Sequence, residues 1–219
     1  MESKSKTQSV SDQIKGFFHK KSYLHGTDLC RIMKLFGSDK GLGWHNYTTL
    51  YHVLFEKLRS SDSLNIFELG IGTSRPGASL FGWESYFCDV PNLKVFGADI
   101  DTKLLFRTKT IKTFNCDQTN PDLIVRLWNQ EELKNIKFDI IVEDGLHEFS
   151  ANLSFLMGSI HKLAPGGLYI VEDLKLDAFE DFASIKEELM KKYDVKIFEL
   201  VDIPSSINHA DNRLLIIGK

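Results

Sequence analysis

Two acidic pairs end apolar runs in this chain. Glu143-Asp144 closes FDIIVE and continues it, Glu172-Asp173 closes LYIVED, and His147 follows Asp144 by three residues. Carboxylates gathered at one edge repel each other unless a cation sits among them or protons are taken up. A divalent, oxygen-seeking ion answers that cost. Hard carboxylate ligands, with water in the remaining positions, describe magnesium better than zinc. Asp144 and Asp173 are the preferred ligands, each being the terminal acid of its pair. Alternation along a strand starts the two acids of a pair on opposite faces, so only one of each easily faces a shared point. Capping the next helix, or meeting a lysine, is the competing use of the other. His147 has a side chain that titrates near neutrality and suits removal of a proton from a hydroxyl, above all one acidified by a metal. A surface histidine opening a helix is the plainer reading of the same residue.

A second group lies upstream, in FELGIGTSRPG. Gly70 and Gly72 permit a tight turn and close approach of backbone to a ligand. Glu68 is placed to accept from hydroxyl or ammonium groups, and Asp99, 22 residues beyond Gly77, to grip the two hydroxyls of a ribose. The loop is not a dinucleotide fingerprint, because Arg75 stands where the third glycine belongs. Glu68 would also repel a pyrophosphate. A ligand with an amino group and a positive centre suits it better, although a bare strand-to-helix turn explains the glycines alone. In NCDQT, Asp117 reads by itself as a helix cap, and Gln118 is placed to hydrogen-bond an adenine edge.

These residues need a scaffold. Apolar runs at 64–69, 93–99, 111–117, 138–143, 168–173, 196–201 and 213–219 are strand candidates. Helical segments follow the first, third, fourth and fifth: 78–89, PDLIVRLWNQEEL, ANLSFLMGSIHKLA closed by Pro165-Gly166-Gly167, and DAFEDFASIKEELMKKY. Strands apolar on both faces and followed by helices indicate an α/β fold with a mostly parallel sheet covered on both sides. The last two strands lack a helix between them and are expected to form an antiparallel hairpin. Ligands of such sheets bind outside the carboxyl ends of the strands, where the topology reverses. Upstream, residues 1–12 are polar and expected to be mobile. Residues 14–36 have the spacing of one or two short amphipathic helices interrupted near Gly26. The loop GSDKGLGWHNY, with Lys40, Trp44, His45 and Tyr47, precedes a helical TTLYHVLFEKLR. Residues 1–60 are thus an N-terminal helical extension and 61–219 the ligand-binding domain.

Composition narrows the partners. A net charge of -3, from 27 basic and 30 acidic residues, gives no electrostatic footprint for nucleic acid. The three scattered cysteines, Cys30, Cys88 and Cys116, form neither a disulfide framework nor a zinc-binding pair. No apolar run approaches the roughly 20 residues needed to cross a membrane. The polar N-terminus is no secretory signal, so a reducing cytoplasm is the expected location.

FELGIGTSRPG, the acid of GAD, and NCDQT resemble motifs of the class I S-adenosylmethionine-dependent methyltransferases, over roughly residues 64–173. SDKGLGWHNY, the glycine loop, DQTNP, FDIIVEDGLH and LAPGGLYIVEDL, in this order, resemble the metal-dependent sugar O-methyltransferases of the macrocin and mycinamicin type. The resemblance implies a Rossmann-like methyltransferase fold, with a seven-stranded, mostly parallel sheet, an antiparallel final strand and helices on both faces. It places Lys40, Glu68, Gly70, Gly72, Asp99, Asp117 and Gln118 at S-adenosylmethionine. It makes Asp144 and Asp173, with Glu172 as a further ligand, the holders of Mg2+, and His147 the general base. Methyl transfer to a hydroxyl of a sugar, sugar nucleotide or glycoside is the implied reaction. A catechol-like or other small polyhydroxyl acceptor is the alternative. A non-catalytic cofactor-binding protein is disfavoured, since a binder has no need to gather Asp144, His147 and Asp173. Trp44, Tyr47, Trp83 and Tyr86 are available to stack on an acceptor, though such residues are usually packing. The N-terminal helices are either a lid over the acceptor or an interface in a homo-oligomer, and His209 is placed to reach the site from the last hairpin.

Overall fold

The computed structural model describes residues 8–72 and 75–219; the first seven residues of the polar N-terminus and positions 73–74 of the glycine loop lie outside the described residues. Seven strands form one sheet: β1 (Ser63–Leu69), β2 (Asn92–Asp99), β3 (Ile111–Asn115), β4 (Phe138–Glu143), β5 (Leu163–Val171), β6 (Ile197–Asp202) and β7 (Arg213–Gly218). Their order is β3-β2-β1-β4-β5-β7-β6. The first five are parallel, and β7 runs antiparallel to both β5 and β6. The chain steps outward from β1 to β3 and then returns to β4, so the topology reverses between β1 and β4. A crevice opens at the carboxyl ends of strands at such a point.

Both faces of the sheet are apolar, and each demands cover. On β1, Ile66 joins one core while Phe67 and Leu69 join the other, the period of two expected of a strand. Helices α1 (Val10–His19), α2 (Asp28–Phe36), α3 (Tyr47–Phe55) and α4 (Ala78–Tyr86) cover the first face, contributing Phe17, Met33, Tyr51 and Trp83. Helices α5 (Pro121–Trp128), α6 (Phe149–Ser159), α7 (Leu176–Ser184) and α8 (Lys186–Tyr193) cover the second, through Ile124, Phe155, Phe182 and Leu189. The three N-terminal helices therefore share one continuous core with Ile66 and Val142 of the sheet. Helix starts are set locally. Ser9, Thr27 and Asn120 accept from backbone N–H groups of the first turns of α1, α2 and α5, which satisfies donors that have no partner within the helix. No helix among the described residues is long and apolar enough to cross a membrane.

The seven strands and the terminal hairpin match the sequence expectation, and three local details depart from it. Helix α6 stops at Ser159 and β5 begins at Leu163, so Pro165-Gly166-Gly167 lies inside a strand rather than closing a helix. Pairing slips there: Phe138 faces Leu163, yet Ile140 faces Leu168. A proline without a ladder donor and two glycines fit such an irregularity. The helix expected over 177–193 is divided at Ile185 into α7 and α8. Strand β3 ends at Asn115, which leaves Asp117 and Gln118 on the following loop.

The cysteines separate by environment. Cys30 and Cys116 are buried and Cys88 is exposed. Burial, reinforced by the charge of Asp117, pushes the Cys116 thiol up to about 12, and the thiolate is the reactive species. Iodoacetamide is expected to add one label to the native protein and three after denaturation, read by intact mass. Rapid double labelling of the native form would contradict this packing.

Candidate active site

A cavity of about 820 Å3 opens at the topological reversal, walled by the tips of β1, β2, β4 and β5, the loop after β3, and the loop between α2 and α3. Its wall includes Lys40, Gly70, Gly72, Asp99, Asp117, Gln118, Asp144, His147 and Asp173. Backbone bonds beyond the strand ends lock the tips together: Gly70 N to Ala98 O at 2.8 Å, Asp144 N to Leu69 O at 2.9 Å, and Glu172 N to Glu143 O at 2.9 Å. Gly70 has φ +89°, and a Cβ there would lie 1.9 Å from the Asp144 carbonyl oxygen. Only glycine lets the β1 turn sit this close to the β4 tip. Asp99 accepts from Ile71 N at 2.8 Å and from Asp101 N at 2.9 Å, which fixes its carboxylate at the rim. Asp117 accepts from the backbone N–H and hydroxyl of Thr119 at 2.9 and 2.7 Å, a local turn use that still leaves it on the wall.

Four residues expected at the cofactor or the ion have protein partners in the structure. Gln118 lines the cavity with its amide already engaged. Its Nε2 donates to Glu143 at 2.8 Å and its Oε1 accepts from Leu146 N at 2.7 Å, so it braces the loop carrying His147. Glu68 and Glu172 do not line the cavity. Alternation puts Glu68 on the Ile66 side of β1, under α4, where Trp83 donates to it at 2.6 Å and Ser79 through its hydroxyl. Glu172 lies on the Ile170 side, accepting from Tyr51 of α3 at 2.6 Å and from the Lys40 ammonium. Lys40 is itself 2% exposed. It pairs with Asp144 and Glu172, with Glu68 at 3.5 Å, so at the cavity wall its charge is balanced by acids. Burial disfavours its charge, yet these carboxylates hold it well above the ordinary lysine range.

What faces the cavity is a tighter set. Ligand atoms of Asp144, His147 and Asp173 all lie within 4.8 Å of one another. His147 Nε2 is 3.1 Å from Asp144 Oδ1 and 3.6 Å from Asp173 Oδ2. His147 and Asp173 both adopt left-handed backbone, φ +43° and +55°, a conformation costing a non-glycine residue about 1–2 kcal/mol. Strain of this kind concentrates where side chains must be aimed. Burial pushes the His147 imidazole down, but the hydrogen bond and charge of Asp144, joined by Asp173, lift it to about 9. Burial and the Asp144 charge push Asp173 up to about 7. Burial likewise opposes ionisation of Asp144, yet Lys40 and His147 bring it down to about 2. Two carboxylates on the wall of an open cavity fit a magnesium ion, which usually takes one or two protein carboxylates and keeps several waters. Glu143 points to the opposite face, where burial lifts it to about 7 and one oxygen has no hydrogen-bond partner among the described residues.

Sequence reasoning passed over several participants. Tyr51 repeats with Phe55 on α3 and reads as packing. Asp211 arrives from the β6–β7 connection and forms a second close set with His45 and Asp173. His209, expected to reach this edge, is exposed instead. Of the four aromatic residues proposed to stack on an acceptor, Tyr47, Trp83 and Tyr86 are buried in the core, and Trp44 alone is open, at 48% exposure.

No family model matches the chain. It is 31% identical over 151 residues to the 8-demethyl-8-(2-methoxy-alpha-L-rhamnosyl)-tetracenomycin-C 3'-O-methyltransferase of Streptomyces olivaceus, covering 67% of this chain and 37% of that enzyme. It is 30% identical over 179 residues to the 8-demethyl-8-alpha-L-rhamnosyl tetracenomycin-C 2'-O-methyltransferase of the same organism, covering 80% and 44%. The chain thus spans less than half the length of these curated relatives. Among solved structures, the MycE methyltransferase of the mycinamycin biosynthetic pathway, in complex with Mg, SAH and mycinamycin VI, superposes with TM-score 0.67 at 20% identity, over 89% of this chain and 55% of that one. The chain has the Rossmann-like methyltransferase fold and is related in sequence, over the matched residues, to sugar O-methyltransferases of the tetracenomycin type.

Proposed function

We propose that this chain is an S-adenosylmethionine-dependent enzyme that, with magnesium, methylates a hydroxyl of a sugar carried by a small glycoside or nucleotide. One observation carries the reading: Asp144, His147 and Asp173 converge on the same cavity that Gly70, Gly72 and Asp99 line. A donor and an acceptor held there would meet across it, and a volume of about 820 Å3 lies in the range of small-molecule sites. Both tetracenomycin relatives are named for methylation of a rhamnosyl hydroxyl, and the solved relative was seen with Mg and SAH.

Each residue has a part in this reading. Asp99 would take the ribose hydroxyls, and the Gly70–Gly72 backbone would hold the amino acid end of the donor. Asp144 and Asp173 hold the ion from adjacent strand tips. Magnesium bound there supplies orientation of two vicinal hydroxyls and added acidity to one of them. Asp144 and Asp173 lift the imidazole to about 9; with their charge taken up by the ion, His147 would be free to accept the acceptor proton as the methyl group passes from the donor sulfur to the hydroxyl oxygen. Residues 1–60 add Gly37, Ser38, Asp39 and Lys40 to the cavity wall, and 61–219 would supply the donor contacts, the ion ligands and the base.

The test combines calorimetry with turnover. S-adenosylhomocysteine binding is measured first, then methyl transfer to glycosides, nucleotide-linked sugars and catechols, with magnesium and with EDTA. Asp144→Asn is expected to lower magnesium-dependent transfer at least about 100-fold, the scale of losing a key electrostatic contact to the reacting group, while the melting temperature and S-adenosylhomocysteine affinity stay close to those of the unmodified protein. Failure to bind S-adenosylhomocysteine would sink the assignment, and transfer undiminished by EDTA would sink the role of the carboxylates.

A further inference from the structure

The segment that carries His147 from β4 to α6 has no backbone ladder of its own. Among the described residues, no backbone-to-backbone hydrogen bond involves positions 145–147, and N–H groups turned away from water need partners. Two side-chain oxygens supply them. Glu143 Oε1 accepts from Gly145 N at 3.3 Å, and Gln118 Oε1 accepts from Leu146 N at 2.7 Å. Gln118 Nε2 donates to the same Glu143 oxygen at 2.8 Å, which closes a ring of three hydrogen bonds. Gln118 and Glu143 are 6% and 1% exposed, so solvent competes little for these bonds. The fit is also close: a Cβ at Gly145 would lie 1.7 Å from Gln118 Oε1 and 2.8 Å from its Cδ.

Gln118 is anchored from the donor side of the cavity. Cys116 N donates to Asp99 O at 3.0 Å, which ties the loop after β3 to the end of β2. Asp144 is held separately, by its N–H to Leu69 O at 2.9 Å and by the Lys40 ammonium. The ring of bonds therefore acts beyond Asp144, on the residues that set where the imidazole stands. His147 has left-handed backbone at φ +43°, and its Nε2 is 3.1 Å from Asp144 Oδ1. We infer that Gln118 is a positioning residue for His147: its amide spans from the donor wall to the loop of the base and holds Leu146, so that the imidazole stays beside Asp144 and Asp173. The inference rests on the methyl-transfer reading above. It also gives Glu143 a use, which is to anchor Gln118. A donor contact and a brace on the base differ in consequence. Loss of the first weakens S-adenosylhomocysteine binding, whereas loss of the second slows transfer once both substrates are bound.

The experiment uses the full chain with Gln118→Met, which keeps the length of the side chain and removes both of its bonds. Amide hydrogen exchange, followed by NMR without ion or substrate, is expected to show the Leu146 N–H exchanging about tenfold faster and the Asp144 N–H unchanged. Turnover is read at saturating S-adenosylmethionine, on whichever glycoside, nucleotide-linked sugar or catechol the unmodified protein methylates fastest. It is expected to fall about 10–100-fold, the scale of a misaligned catalytic group, while S-adenosylhomocysteine affinity by calorimetry stays within a few-fold. Gly145→Ala reaches the same end by another route. Its methyl group displaces the flexible end of Gln118, the backbone there is not left-handed, and the loss of turnover should be reproduced. Unmodified protein that methylates none of these acceptors would overturn the methyl-transfer reading, and this inference with it. Active unmodified protein together with full turnover by a folded Gln118→Met would overturn this inference alone. So would unchanged exchange at Leu146, or a variant that loses S-adenosylhomocysteine affinity and keeps its turnover, since Gln118 would then be a donor contact. If Gln118→Met does not fold, Gly145→Ala decides: undiminished turnover there overturns the brace.

Discussion

Lys40→Met is expected to destabilise the protein by about 3–5 kcal/mol, the cost typical of removing one partner from a buried ion pair. The methylene stem is kept and only the charge is lost. Glu68 and Glu172 are 0% and 1% exposed, and Asp144 sits beside them. Neutral donors remain to two of these acids, Tyr51 to Glu172 and Trp83 to Glu68, but hydrogen bonds alone do not offset the desolvation of clustered like charges. A second substitution separates this cause from lost packing. Adding Glu172→Gln to Lys40→Met removes one stranded charge while keeping a group of the same shape that can still accept from Tyr51. Urea unfolding should find the double variant more stable than Lys40→Met by about 1–2 kcal/mol, within the range of coupling between contacting residues. A double variant no more stable than the single one would mean that the charge cluster is not what Lys40 supports.

The second large effect is expected at Gly70. Gly70→Ala places a methyl carbon 1.9 Å from a backbone oxygen and 2.7 Å from its carbon, at φ +89°. Left-handed backbone costs alanine about 1–2 kcal/mol, and forcing extra volume into a packed site adds roughly 1–3 kcal/mol, so a total of about 2–5 kcal/mol is expected. The obstruction is the Asp144 carbonyl, so relief of the clash moves a proposed ligand of the ion. Gly72→Ala is the control, since its φ is +80° and, its chain neighbours apart, no atom of the described residues lies within 4 Å of the added carbon. It should lose only the backbone part, about 1–2 kcal/mol. Equal losses for the two variants in urea unfolding would show that the close approach of β1 to β4 is unimportant.

The scaffold was legible because its causes are local. Runs apolar on both faces, separated by helical spacing, require a covered parallel sheet, and the missing helix before RLLIIGK foretold the hairpin. Pro165-Gly166-Gly167 misled, because the same residues that stop a helix also suit a strand irregularity. At the site, the carboxyl-end rule located Asp99, Asp144, His147 and Asp173 correctly on one cavity. Alternation also foretold that the acids of each pair would part, as Glu143 and Asp144 do. What it did not supply was the partner of the inward-turning acid. Lys40 meets Glu172 across 132 positions of sequence, and His45 meets Asn208 across 163. Neither contact leaves a periodicity or a motif, and the left-handed turn at Asp173 ends the strand rule one residue before it would be applied.

The position of Lys40 bears on how this protein can be cut. A fragment begun at β1 would keep Asp99, Asp144, His147 and Asp173, and an inventory of donor residues would judge its ion site complete. It would lack the ammonium that makes those acids tolerable as neighbours, together with Tyr47 and Tyr51, which hold Asp173 and Glu172. Minimal versions, chimeras and grafts of this sheet must therefore carry the segment ending in α3 along with it. For this site the transferable unit is the charge balance, and half of it is encoded before the first strand.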